Sequence, residues 1–202
     1  SNVEGIDSQF CYTVNHRVSQ GFTVYQSEPL GIPNIPQIYD LTDGLDENDI
    51  LGFQKLDEKF AYIAECGLVH ANSQLFFTDE INNPAYTPEY LRLLARFWVA
   101  RYGSYPVLWT VAQEIDPHCY GTVYPERWYT VAEAIAEFDA YRHPLTAHGA
   151  NNCLLTSENS AWNDKPYHSW FGLQPQEYTL NNTSYLKGFY QIAKPIVCYE
   201  TG

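Results

Sequence analysis

The stretch TPEYLRLLARFWVARYGSYPVLWTVAQE, residues 87–114, decides the fold class because it joins an amphipathic helix to a mainly apolar strand. Thr87 is a suitable helix N-cap, Pro88 suits the first helical position, and Gly103 marks the helix end. Apolar residues between them recur at the 3.6-residue period of a helix buried along one side. The run 106–114 is typical of a parallel strand covered on both faces. The stretch therefore predicts an α/β fold.

The same alternation extends over the rest of the chain. Strands are predicted at residues 22–28, 69–77, 106–114, 145–148, 168–173 and 195–200. Helices are predicted over residues 3–20, 46–66, 87–103, 125–141 and 180–193, and a polar loop over 29–46. This spacing fits two architectures, a doubly wound open sheet and a (β/α)₈ TIM barrel. No GxGxxG or GxxxxGK[ST] loop follows a strand, which disfavours the nucleotide-binding doubly wound folds.

The length narrows the barrel prediction. A complete TIM barrel takes about 250 residues, and this chain has 202 residues with six predicted strands. It begins on a predicted helix and ends on a predicted strand. We therefore expect one domain, residues 1–202, that covers helix 1 to strand 7 of a TIM barrel and is incomplete at both ends.

Composition limits the possible partners. The chain carries 11 basic and 24 acidic residues, a formal net charge of −13. Nucleic acids and anionic membranes bind clustered Lys and Arg, so neither is an expected partner. Aromatic residues make up 16% of the chain, with 17 Tyr and 5 Trp. Such rings suit both sugar stacking and a large core, which leaves a carbohydrate as the expected partner.

Two carboxylates follow strands that would be the fourth and seventh of a barrel. Glu114 ends the strand 106–114, and Glu200 ends the strand 195–200. Catalytic groups of TIM barrels lie at the carboxyl ends of strands. A pair of carboxylates is also the minimum machinery for hydrolysis of a glycosidic bond. The position of these two residues thus predicts a glycosidase, although ordinary loop-edge carboxylates remain an alternative.

Several segments resemble the apiosidase-like bacterial glycoside hydrolases. The segment 97–114, FWVARYGSYPVLWTVAQE, is similar to the family's Arg-Tyr-x-x-x-Pro-x-x-Trp approach to its acidic residue, and 194–200, KPIVCYE, resembles its Lys-Pro-Val…Glu segment. Residues 20–26 and 143–148 also fit the family. The resemblance implies a barrel of the retaining clan, with Glu114 as acid/base and Glu200 as nucleophile. Family members often carry Asp at the first position, which leaves Asp116 as a rival to Glu114.

Further residues at the strand ends are expected to contact sugar. Glu28 ends the first predicted strand and either binds hydroxyl groups or caps a turn, and Gln113 precedes Glu114. Trp109 and Trp170 are candidate sugar platforms, although such rings more often belong to a core. His148 either hydrogen-bonds substrate or nucleophile, or is a buried core histidine.

Tyr199, directly before Glu200, completes the predicted set of substrate-binding residues.

No cofactor or metal is expected. The sequence contains neither a CxxC pair nor an HExxH motif, and it lacks the GxSxG elbow of serine hydrolases. Two functions remain as alternatives to a glycosidase: a glycan-binding barrel without catalysis, and a doubly wound enzyme unrelated to sugars. The sequence does not predict an oligomeric state, and a periplasmic or secreted location is favoured over a cytoplasmic one.

Overall fold

Helices and parallel strands alternate along the chain in a computed structural model that describes residues 6–27, 46–76, 84–112, 125–150, 160–174, 187–188, 191 and 193–199. The helices are α1 (Ser8–Ser19), α2 (Glu47–Glu65), α3 (Pro88–Tyr102), α4 (Pro125–Phe138) and the short α5 (Ser160–Asn163). The strands are β1 (Val24–Ser27), β2 (Val69–Phe76), β3 (Val107–Ala112), β4 (Leu145–Thr146), β5 (His148–Ala150), β6 (Phe171–Gln174) and β7 (Ile196–Cys198). The predicted α/β class is confirmed.

Local sequence signals set the helix ends. The Thr87 side chain accepts a hydrogen bond from the Tyr90 amide, and Pro88 opens α3, as predicted. At α2, Asp46 and Asp49 form a reciprocal capping box. Gly67 follows this helix with φ of +79°, a left-handed conformation that glycine adopts without steric strain. All six apolar stripe residues of α3 are buried: Leu91, Leu94, Ala95, Trp98, Val99 and Tyr102.

The strands pair in parallel and in chain order. One sheet has the order β1-β2-β3-β4, and the other has the order β5-β6-β7. Only Ala147 separates β4 from β5, and Leu145 forms a bridge to His168 just before β6. The two sheets therefore continue into each other and form one succession of parallel strands. A doubly wound sheet reverses its strand order at a switch point, and the described strands show no such reversal.

The two faces of the sheet have different surroundings. On β3, the side chains of Val107, Trp109 and Val111 belong to the main core, together with the buried faces of α2, α3 and α4. The alternate residues Leu108 and Thr110 point to the opposite face, because successive side chains of a strand alternate. We call the first the helix face and the second the inner face.

A side-chain contact shows that the sheet is strongly curved. The hydroxyl groups of Thr110 on β3 and Tyr199, which follows β7, are 2.8 Å apart. Three steps of strand pairing separate these strands, about 14 Å in a flat sheet with about 4.8 Å between neighbours. The succession must therefore curve around its inner face.

Some element boundaries differ from the prediction. Helix α4 ends at Phe138 instead of residue 141, because the Asp139 carboxylate accepts the backbone N–H groups of Tyr141 and His143 and Arg142 takes a φ of +56°. The predicted strand 145–148 is divided at Ala147.

Elsewhere, β6 begins at Phe171, since His168 makes only an isolated bridge, and α5 lies where a loop was expected. The predicted loop 29–46, apart from its last residue, and most of the predicted helix 180–193 lie outside the described residues.

Candidate active site

The carboxylates of the predicted site, together with Gln113, lie outside the described residues. This applies to Glu114 and Glu200, to Glu28 and Gln113, and to the rival acid Asp116. Glu200 directly follows Tyr199, and Glu114 comes two residues after the end of β3. Their catalytic and binding roles stay predictions. The described residues include the parts of the chain that precede Glu114 and Glu200.

Trp109 lies on the helix face of β3. Its side chain is 1% exposed, and the indole Nε1 donates a hydrogen bond of 2.9 Å to Oδ2 of Asp139. The ring also makes an edge contact with His143, at 6.1 Å between centroids. Trp109 thus belongs to the packing between sheet and helices, which is the core alternative that the sequence left open. The strand alternation could have shown this, because residues 109 and 114 fall on opposite faces of a regular strand.

Asp139 is a polar residue of the core that the sequence analysis missed. Besides the Trp109 indole, its carboxylate accepts the amide of His143 at 2.8 Å and lies 3.0 Å from Nδ1 of the same histidine. Burial alone would raise the pKa of Asp139, but the hydrogen bonds from Trp109 and His143 hold that pKa below its ordinary value. No local motif marks such a residue, because its partners come from β3 and from the loop after α4.

Three of the predicted site residues meet on the inner face. The Tyr199 ring lies 5.4 Å from the His148 ring and 5.5 Å from the Trp170 ring, measured between centroids. Tyr199 is 7% exposed, and the other two are buried more deeply. Ala71 of β2 and Leu108 of β3 pack in the same cluster. Side chains from separate strands thus form a packed aromatic layer inside the curve of the sheet.

Two threonines connect this layer to the strands. Thr110 exchanges a hydrogen bond with the Tyr199 hydroxyl, and Thr146 Oγ1 donates to the backbone carbonyl of Trp170 at 2.6 Å. Both threonines are buried and face each other across the β3–β4 pair. The sequence analysis missed them. Both lie within predicted strands between apolar neighbours, which indicates that their hydroxyl groups are buried. A buried hydroxyl group needs a hydrogen-bond partner, and here that partner lies on the inner face.

Burial keeps the inner-face histidine neutral. It lowers the pKa of His148 to about 4, so its imidazole is uncharged near neutral pH. A neutral imidazole offers one N–H donor and one acceptor nitrogen. The described inner-face side chains, Ala71, Leu108, Thr110, Thr146, His148, Trp170 and Tyr199, include no Asp, Glu, Lys or Arg. Such surroundings favour the protonated form of a nearby carboxyl group.

Within the residues that the structure describes, no three His, Cys, Asp or Glu side chains come together as metal ligands would. The same part of the chain holds no helix that combines the length and the apolar character of a membrane span.

Solved structures share the fold. A glycoside hydrolase family 5 structure from Bacteroides vulgatus ATCC 8482 has a TM-score of 0.72 at 15% identity, and the match covers 98% of this chain and 46% of that one. A Bifidobacterium dentium beta-glucuronidase complexed with coumarin-3-O-glucuronide has a TM-score of 0.63 at 15% identity, with coverage of 98% and 30%. A further structure, described as a glycoside hydrolase, has a TM-score of 0.62 at 16% identity, with coverage of 84% and 39%. The chain thus spans less than half the length of these proteins.

No curated protein matches the sequence. A sequence profile described as "Apiosidase-like, catalytic domain" matches residues 6–201, which is nearly the whole chain. The resemblance seen in the segments 97–114 and 194–200 is thereby confirmed, and the chain belongs to the apiosidase-like family, catalytic domain.

Proposed function

We propose that the protein is a glycoside hydrolase that cleaves its substrate with the carboxylates of Glu114 and Glu200. The observation that carries the proposal is the contact between Thr110 and Tyr199 on the inner face. Thr110 comes four residues before Glu114, and Tyr199 comes directly before Glu200. The strands that lead to the two carboxylates thus approach each other inside the curve. Membership of the apiosidase-like family supports the same assignment.

The proposed architecture is a (β/α)₈ barrel. Its support is the sequential order of parallel strands, the packing of helices α2, α3 and α4 on one face, and the curvature that brings β3 and β7 together. In such a barrel, residues at the carboxyl ends of the strands share one mouth. A doubly wound sheet would instead carry helices on both faces.

The proposed chemistry is a double displacement. Glu200 attacks the anomeric carbon, the bond from that carbon to the leaving oxygen breaks, and the Glu114 carboxyl transfers its proton to this oxygen. Glu114, now ionised, then takes a proton from water. The resulting hydroxide attacks the same carbon and releases the sugar and the Glu200 carboxylate. This mechanism needs a separation of about 5–5.5 Å between the two carboxyl groups.

The proposed substrate is a carbohydrate, the branched part of a complex glycan. Glu28 and Gln113 are proposed to hydrogen-bond its hydroxyl groups. The excess of acidic residues, with a net charge of −13, favours a neutral sugar at the cleaved bond. A glycan-binding protein without catalysis is the second candidate, because aromatic residues serve binding and hydrolysis alike.

Hydrolysis of a panel of aryl and natural glycosides by the full-length protein tests the proposal. Glu200→Gln and Glu114→Gln should each abolish turnover and leave the circular dichroism spectrum unchanged. Glu58→Gln, on the exposed side of α2, is the matched control and should keep wild-type turnover. Sugar binding without hydrolysis by the wild-type protein would favour the second candidate, and turnover by Glu200→Gln would contradict the proposed nucleophile.

A further inference from the structure

A hydrogen bond crosses the inner face between strands that are not neighbours. Thr110 of β3 and Tyr199 after β7 approach to 2.8 Å through their hydroxyl groups, and both side chains are buried. The backbone ladder joins only neighbouring strands, so it leaves β3 and β7 connected through three successive pairings. We call this direct hydrogen bond the cross-sheet bridge.

The Tyr199 end of the cross-sheet bridge is fixed in several directions. Its ring lies between the rings of His148 and Trp170, at 5.4 and 5.5 Å. Its backbone N–H donates to the carbonyl of Leu173 on β6 at 2.7 Å. The ring and the peptide that leads to Glu200 are thus held at the same time.

The Thr110 end is fixed by the regular ladder of β3. Thr110 pairs with Ser73 of β2 on one side and with Thr146 of β4 on the other. A threonine side chain in a strand has few rotamers. The hydroxyl group therefore presents a defined hydrogen-bonding position to the tyrosine.

We infer that the cross-sheet bridge holds β3 and the chain after β7, which lead to Glu114 and Glu200, in the arrangement that the proposed reaction needs, with Thr110 and Tyr199 as positioning residues. This inference rests on the proposed function. A small error in the distance between strands at each of the three pairings adds up across the inner face. One direct hydrogen bond fixes the total distance between β3 and Tyr199. Apolar packing is not directional and would allow the strands to slide, but a hydrogen bond weakens as its length and angle change.

The expected effect is large because the reaction depends on geometry. A displacement of about 1 Å in a reacting group can lower a rate about 100-fold. Tyr199→Phe removes only the hydroxyl oxygen and keeps the ring between His148 and Trp170. Thr110→Val replaces the hydroxyl by a methyl group of similar size. Each variant should lower kcat about 10- to 100-fold with KM changed less than about threefold.

Two further variants make the test specific for the hydrogen bond. The double variant Tyr199→Phe/Thr110→Val should lose no more of kcat than the more damaged single variant, because both remove the same contact. Thr110→Ser keeps a hydroxyl and should stay within about threefold of the wild-type kcat. Losses that multiply in the double variant, or an equal loss in Thr110→Ser, would overturn the inference.

The pH dependence of kcat/KM distinguishes a positioning role of the cross-sheet bridge from a general effect on the stability of the fold. Two carboxyl groups held close together raise the pKa of the one that keeps its proton. If the groups move apart in Tyr199→Phe, this pKa falls and the alkaline limb of kcat/KM moves to lower pH. An unmoved limb, or a fall in melting temperature with an unchanged kcat at 25 °C, would overturn the inference.

Glu200→Gln distinguishes failure of this inference from failure of the proposed function. If Glu200→Gln is inactive and Tyr199→Phe is fully active, only the positioning role is wrong. If Glu200→Gln turns over glycosides at the wild-type rate, the proposed function is wrong, and the positioning role that rests on it falls as well.

Discussion

Replacement of Trp109 by Phe tests whether this ring serves the core or the substrate. The change removes the hydrogen bond from the indole Nε1 to Asp139, which is 2.9 Å long and has a carboxylate as acceptor. A hydrogen bond to a charged group contributes about 1.5–3 kcal/mol. The smaller ring also leaves a space in a site that is 1% exposed, which costs about 1–2 kcal/mol more. Asp139 keeps its donors on His143 and is not left unpaired, so the two contributions give an expected loss in the free energy of unfolding of about 2.5–5 kcal/mol.

Guanidinium denaturation followed by far-ultraviolet circular dichroism measures this loss without depending on tryptophan fluorescence. The KM for a hydrolysed glycoside should change less than about twofold, since the ring lies on the helix face. The double variant Trp109→Phe/Asp139→Ala should show a coupling energy of more than about 1 kcal/mol. An unfolding free energy within about 0.5 kcal/mol of wild type, combined with a large rise in KM, would refute the core assignment.

Two further predictions concern stability. Burial lowers the pKa values of His70, His148 and His168 to about 3, 4 and 3, so below about pH 6.5 the unfolded chain binds protons that the folded chain does not. The free energy of unfolding should therefore fall between pH 6.5 and 4, by up to about 1.4 kcal/mol per pH unit for each histidine, and guanidinium titrations that agree at pH 7 and 5 would contradict this. Gly67→Ala should lower the free energy of unfolding by about 1–2 kcal/mol, because φ is +79° while the space for a methyl group is open. An unchanged guanidinium midpoint in this variant would contradict the prediction that alanine is strained at this positive φ.

The elements that the sequence predicted best carry their own local signals. Helix α3 has an N-cap, a proline at its first position and a complete apolar stripe, and its bounds and buried side agree with the prediction. Helix α4 has the stripe, but its end depends on hydrogen bonds that the Asp139 carboxylate accepts from backbone N–H groups of the following loop. The same carboxylate also accepts a hydrogen bond from the Trp109 indole of β3, a partner that the sequence of the helix does not reveal. Local periodicity therefore placed the helix and could not place its last turn.

The candidate site also combines features that carry local sequence signals with contacts that form only in the tertiary structure. His148, Trp170 and Tyr199 were selected by their positions near strand ends, and the structure packs them together on one face, while their contact with substrate stays a prediction. The partner of Tyr199 is Thr110, which is 89 residues away in the sequence. This pairing depends on the curvature of the whole succession of strands, which no local pattern encodes.

Trapping of a glycosyl-enzyme intermediate tests the central claim most directly. A slowly turned-over 2-deoxy-2-fluoro analogue of a hydrolysed glycoside is incubated with the full-length protein, and the labelled peptide is identified by mass spectrometry. A retaining mechanism with Glu200 as nucleophile predicts one sugar adduct per chain, bound to Glu200. An adduct on another residue such as Asp116, or hydrolysis of the parent glycoside without any adduct, would contradict the account.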